Sequence, residues 1–159
     1  MKVISDRIAS FEKKLAMILM FAMAVIIALA VFFRYVINYP LFWAGEISIF
    51  LLIYITFIGG SLGLKYNSQA SVTILTDYLP EKANKMIAIS GHIFMLLFMT
   101  ILLFYCFKWI TSPNVALQKS SAILLPMWVP YCILPIGLSF STLHILNNLS
   151  ILIKGDDRQ

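Results

Sequence analysis

Long uncharged apolar runs alternate with short charged segments along this chain. Four such runs stand out: Leu15 to Phe33, Ile47 to Leu64 with Trp43 at its entrance, Met86 to Phe107, and Met127 to Ile151 within the uncharged stretch between Lys119 and Lys154. A helix that crosses a bilayer needs about 20 mostly apolar residues, and each run meets that need. With their interfacial flanks the predicted spans are 15–35, 44–64, 86–108 and 127–151. The runs lack the strict alternation of barrel strands, so the pattern predicts helices. The expected fold is an all-α integral membrane protein with four transmembrane helices, forming one domain over residues 1–159.

The polar segments set an orientation. If the N-terminus is cytoplasmic, one side carries Lys2, Arg7, Lys13, Lys14, Lys65, Lys82, Lys85, Lys154 and Arg158, and the other only Arg34, Lys108 and Lys119. Cytoplasmic loops are enriched in Lys and Arg, so both termini are expected in the cytoplasm. Tyr35, Tyr39, Phe42 and Trp43 then anchor one outer edge, and Trp109 and Trp128 another. Ala28-Leu29-Ala30 matches the small-residue pattern of a signal-peptidase site. The apolar run continues past it, so the first span is expected to remain. In the longest inner loop, Val72, Leu75 and Leu79 fall on one helical face before Pro80. That spacing fits a short amphipathic helix on the membrane surface as well as a loop with apolar anchors.

Composition agrees with the pattern. Of 159 residues, 61% are hydrophobic and 12% charged, against about 45–50% and about 25% in an ordinary soluble domain. A soluble enzyme fold, intrinsic disorder and a disulfide scaffold are excluded. The formal net charge of +5 points to anionic membrane lipid as the partner of the basic residues, not to nucleic acid.

Ionisable residues within spans mark function, because burying them is costly. Arg34 ends the first span and Glu46 opens the second, on either side of one short loop. They read as a charged pair that fixes this hairpin or docks onto another subunit, or as two side chains that reach into water. His92 and His144 lie at matched depth on the third and fourth spans. Together they could ligate a haem iron, or each could bond a neighbouring helix. Cys106 and Cys132 form no C-x-x-C pair and read as packing residues. The sequence holds no Walker A loop, no H-E-x-x-H and no metal-ligand cluster. No catalytic, cofactor-binding or metal-binding residue is assigned, and the chain is not expected to be an enzyme.

Packing signals are clearer. Gly59 and Gly63 lie four apart on one face, beside Gly60, and Ala24 and Ala28 do the same on the first helix. Small residues at that spacing let helices approach closely in lipid. Pro126 and Pro130 suit a helix beginning, while Pro135 lies deeper and is expected to kink the fourth helix. The residues alone thus describe a small accessory or scaffold subunit. A haem- or quinone-binding membrane anchor of a redox complex is the alternative, and a self-assembling carrier that depends on Glu46 is a third reading.

Several residue groups resemble one family. Phe33-Arg34-Tyr35-Val36-Ile37-Asn38 resembles its F-R-Y-x-x-N, Trp43 and Glu46 its W-x-x-E, and Phe57-Ile58-Gly59-Gly60 its F-[LI]-G-[AG] segment. Ser121 to Trp128, with Pro126 between them, resembles its S-x-x-x-x-P-x-W, and Pro135-Ile136-Gly137 its P-x-G. Their order and placement on four helices resemble the small membrane subunit (DctQ-type) of tripartite ATP-independent periplasmic (TRAP) transporters. One departure is clear: where the family commonly has H-[IV]-x-V-D, this chain reads Gln69-Ala70-Ser71-Val72-Thr73.

The resemblance implies a multi-pass protein of the bacterial inner membrane. It implies two partners, a large elevator-type membrane subunit and, transiently, a periplasmic substrate-binding protein. It implies sodium-driven uptake of an organic acid, of the C4-dicarboxylate or sialic acid class, with the substrate and sodium sites in the large subunit. Under it, Arg34, Trp43 and Glu46 become candidates for an outer brace or docking surface. Gly59, Gly60 and Gly63 become candidates for close packing to the large subunit, and Ser121, Pro126 and Trp128 for shaping the outer entry of the fourth helix.

Overall fold

The computed structural model describes residues 2–66 and 81–154. Among the described residues six helices follow one another: α1 (Lys2–Tyr35), α2 (Phe42–Lys65), α3 (Glu81–Ile110), α4 (Pro113–Leu117), α5 (Trp128–Tyr131) and α6 (Ile133–Lys154). Four membrane-length apolar helices result, with α5 and α6 together forming the fourth, Trp128–Ile153. Among the described residues there is no strand, only a single bridge between Lys119 and Pro126. The segment expected as a surface helix, and the departure at Gln69 to Thr73, lie outside the described residues.

α1 runs unbroken for 34 residues because no glycine or proline interrupts it. At 1.5 Å per residue it is about 51 Å long, well beyond the hydrocarbon core of a bilayer. The chain leaves α1 through Asn38, whose φ of 57° is left-handed. Asparagine tolerates that region better than most residues, and the Tyr39 N–H donates back to the Phe33 carbonyl at 3.1 Å. The asparagine of the F-R-Y-x-x-N run is therefore the residue that turns the chain.

α6 is the central helix. α1 packs on α2, α2 on α6, and α3 on α6, with a smaller contact between α1 and α6. Gly137 makes the α2–α6 approach possible: a Cβ there would meet the Phe57 Cβ at 2.9 Å. The buried core includes Ala44, Ile58, Ile133 and Ile145. Large apolar side chains such as Phe21 and Phe94, each about three-quarters exposed, cover the outward faces of α1 and α3, as lipid-facing surfaces require.

Pro135 interrupts the hydrogen-bond ladder of the fourth span, while Cys132 keeps helical dihedrals (φ −56°, ψ −26°). The proline lacks the N–H that would donate to Tyr131, one turn earlier. Helix α5 therefore ends at Tyr131, and α6 begins afresh at Ile133 with Pro135 in its first turn. The buried Pro130 and Pro135 flank this break. The Tyr54 hydroxyl of α2 donates to the Val129 carbonyl at 2.8 Å, tying the break to the neighbouring helix.

Candidate functional site

Two polar clasps hold the bundle, one at each end. The end at which α1 begins and α6 finishes is called basal here, and the opposite end apical.

The apical clasp is built on Glu46, in the second turn of α2. Its Oε1 accepts the Ser121 N–H at 2.8 Å, and its Oε2 accepts the N–H groups of Ala122 at 3.1 Å and Ile123 at 3.0 Å. Three consecutive backbone donors thus converge on one carboxylate, an anion-binding concavity filled by the protein's own side chain. The loop that supplies them is a narrow hairpin. Ser120 N–H donates to Leu125 O at 2.9 Å, Met127 N–H to Gln118 O at 2.9 Å, and Leu125 N–H to Ser120 Oγ at 3.2 Å. At its tip Leu124 has a φ of 58°, a strained position for a residue with a Cβ. Charge-assisted bonds to a carboxylate are the stronger kind, and they hold this tip in place.

This arrangement corrects the expected pairing of Glu46 with Arg34. Arg34 is exposed, and its guanidinium lies 5.8 Å from the ring centre of Tyr35. Glu46 instead joins α2 to the loop before α5. Backbone donors carry no side-chain signature, so the residue types gave no sign of this partner.

The remaining predicted residues fall around this clasp or on the outer faces. Ser121 reaches Glu46 through its backbone N–H. Pro126 bridges Lys119 across the hairpin and accepts the Val129 N–H at 3.1 Å. Trp128 opens α5 and, like Trp43, is nearly half exposed at the apical end. Gly59 and Gly60 are exposed, and nothing lies within 4 Å of where their Cβ atoms would stand. Gly63 is half-buried. The exposed glycines continue a stripe of outward residues on α2 formed by Ile49, Leu52 and Thr56.

The basal clasp brings α1, α2 and α6 together. His144 of α6 is fully buried between two side chains of α1. Its Nδ1 is 2.7 Å from Ser5 Oγ and its Nε2 is 3.0 Å from Glu12 Oε2. Both ring nitrogens are thereby engaged. His92 uses its Nδ1 within its own helix, 2.8 Å from Ala88 O. The two histidines therefore act separately, and the geometry of His144 leaves neither of its nitrogens for an iron. Nearby, Lys65 Nζ donates to Asp6 Oδ1 at 2.6 Å and to Ser5 O at 3.1 Å. Asn148 Nδ2 donates to Leu64 O at 2.9 Å and Lys65 O at 3.3 Å, satisfying carbonyls that the end of α2 leaves open.

Sequence reasoning missed Glu12 and Ser5 because they precede the apolar run and neighbour Lys13 and Lys14. A signal was present: Ser5, Ala9 and Glu12 share one helical face, and those three are the buried residues of α1. The Ser5–His144–Glu12 order resembles a hydrolase relay, but the serine is enclosed with its partners at 3% exposure. A nucleophile must be within reach of substrate, so the arrangement works as a tie between helices.

Comparison with known proteins supports a transport role. A family model described as the DctQ component of tripartite ATP-independent periplasmic transporters matches residues 23–155. The isethionate TRAP transporter permease protein DctMQ of Oleidesulfovibrio alaskensis is 26% identical over 148 residues, covering 89% of this chain and 23% of that protein. The sialic acid TRAP transporter small permease protein SiaQ of Vibrio cholerae is 27% identical over 93 residues, 58% of this chain and 54% of that protein. The C4-dicarboxylate TRAP transporter small permease protein DctQ of the same organism is 24% identical over 168 residues, 92% of this chain and 72% of that protein. The chain thus spans about a quarter of the first relative and about half of the second.

Proposed function

The chain belongs to the DctQ component family of the tripartite ATP-independent periplasmic transporters, and on that premise we propose that it is the small scaffold subunit of such a transporter. It is a transporter component and not an enzyme, a multi-pass protein of the bacterial inner membrane. In the proposed role it binds and braces a large elevator-type membrane subunit. That subunit takes up an organic acid, of the C4-dicarboxylate or sialic acid class, delivered by a periplasmic binding protein and driven by a sodium gradient.

The observation that carries this reading is the pair of clasps at opposite ends of the bundle. A carrier that moves its substrate sideways needs a frame that does not move with it. Glu46 fixes the apical loop to α2, and the Ser5–His144–Glu12 tie fixes α1 to α6. Polar groups hydrogen-bonded from one helix to another hold such an interface as a rigid unit. The exposed glycines of α2 then offer the large subunit a surface for close approach. Arg34, Trp43 and Trp128, exposed at the apical end, are the proposed docking surface for the binding protein.

The proposed orientation places the basal end in the cytoplasm, following the excess of Lys and Arg there. The four helices are proposed to act as one membrane domain. Tagging the C-terminus and purifying the chain from native membranes in mild detergent tests the central claim. Recovery of a large polytopic protein in about equal amount is the expected result; recovery of the chain alone, or with a flavin or iron–sulfur protein, would overturn it.

A further inference from the structure

We propose that the outward face of the basal part of α1, formed by Arg7, Ser10 and Lys14, binds an anionic glycerophospholipid through its phosphate. Depth is the first argument. The 2.6 Å pair between Asp6 and Lys65 sets α1 in register with the basal end of α2, where the apolar run ending at Leu64 meets charge. Lys14 lies eight residues past Asp6, about 12 Å further toward the apical end at 1.5 Å per residue. Its backbone therefore stands beside apolar residues of α2. The basal clasp gives the same depth. Glu12 meets His144, which lies one turn to the apical side of Asn148, and Asn148 caps the last residues of α2.

An exposed lysine at that depth must bring its ammonium back to the headgroup layer. Helix geometry helps, because side chains tilt toward the N-terminus, here the basal end. Lys14 therefore leans along its own stripe toward Ser10 and Arg7, which share its face at i, i+3 and i+7 spacing. Arg7, Ser10 and Lys14 line one shallow groove together with Val3, Asp6 and Phe11.

Charge supplies the second argument. The groove's one carboxylate, Asp6, is already paired with Lys65. Arg7 and Lys14 remain as cations on this face, with the Ser10 hydroxyl between them. A guanidinium fork and an ammonium suit a phosphodiester. The exposed Phe11 and Val3 offer apolar contact to the glycerol and upper acyl chain. With the charge of Asp6 offset by Lys65 through Oδ1, Arg7 and Lys14 leave the groove net positive, which favours a headgroup of net negative charge, the phosphatidylglycerol class. This assignment holds whichever side of the membrane carries the termini.

The test uses the full chain in nanodiscs containing spin-labelled phosphatidylglycerol or phosphatidylcholine, reading the motionally restricted lipid by electron paramagnetic resonance. A preference of up to roughly thirtyfold for phosphatidylglycerol is expected from two basic side chains near the headgroup plane. It should fall to near parity in R7Q/K14Q, drop partly in K14Q, persist in K14R, and remain in K85Q on α3. Equal restriction of the two lipids in the unaltered chain would overturn the assignment, as would a preference that R7Q/K14Q leaves intact or that K85Q also abolishes. Loss of the preference on adding millimolar inorganic phosphate would mark a site for free anions and overturn it too.

Discussion

Glu46 and Ser121 are 75 positions apart in the chain, yet the carboxylate of one accepts the backbone N–H of the other at 2.8 Å. Replacing Glu46 with Gln keeps the shape but turns an amide N–H₂ toward backbone donors and removes the charge. The hairpin that carries the strained Leu124 should loosen. Hydrogen exchange measured by mass spectrometry should show faster exchange at Ser121 to Ile123, while amides in the centre of α6 keep their protection. Unchanged exchange across the hairpin would show that its own cross-bonds suffice.

The buried tie of Glu12 and His144 should behave as a unit. His144→Leu leaves the Glu12 carboxyl enclosed without a partner, and Glu12 Oε1 already has none. Stranding a buried polar group costs about 1–3 kcal/mol, or more if it is charged. The double variant E12L/H144L removes both partners and should recover much of that loss, as apolar replacements of buried pairs often do. Thermal unfolding in detergent reads the difference; equal losses in the single and double variants would refute the coupling.

Glycine substitutions should separate internal packing from the outer surface. G137A places a Cβ 2.9 Å from that of Phe57, and overpacking of this kind costs about 1–3 kcal/mol. G59L meets open space within the chain. It should leave the unfolding temperature nearly unchanged and reduce co-purification of the large subunit. Undiminished co-purification would remove Gly59 from the proposed interface.

Tyr54→Phe deletes one hydroxyl and the bond to Val129 O. The expected loss is about 0.5–1.5 kcal/mol, with faster exchange centred on the α5–α6 break. An unaltered exchange pattern there would mean that Pro130 and Pro135 alone position the break.

The four spans were legible in the sequence because lipid leaves few choices: a run of apolar residues must form a helix that satisfies its own backbone. The prolines marked the start of the fourth span, where Pro135 interrupts the hydrogen-bond ladder next to Cys132. Glu46 stood out as an acid at a membrane edge, but its partner did not, since Arg34 was the nearest opposite charge and backbone amides are invisible to residue type. Glu12 was hidden in a polar flank whose neighbours Lys13 and Lys14 do face outward. There the helical phase held the answer, and a reading by span boundaries passed over it. Gly137 was seen only as part of a motif; its contact with Phe57 is a matter of register between two helices, which no single segment encodes.

The order in which these ties are completed follows from the order of synthesis. Ser5, Glu12 and Glu46 all lie in the first two helices, and the groups they bond, residues 121–123 and His144, come from the last third of the chain. A ribosome delivers the N-terminal elements first. Early in synthesis, then, α1 and α2 carry polar side chains whose partners do not yet exist. A chain interrupted after its third span keeps two unmatched carboxyl groups at the membrane, a chemical mark of incompleteness that only the arrival of the fourth helix erases.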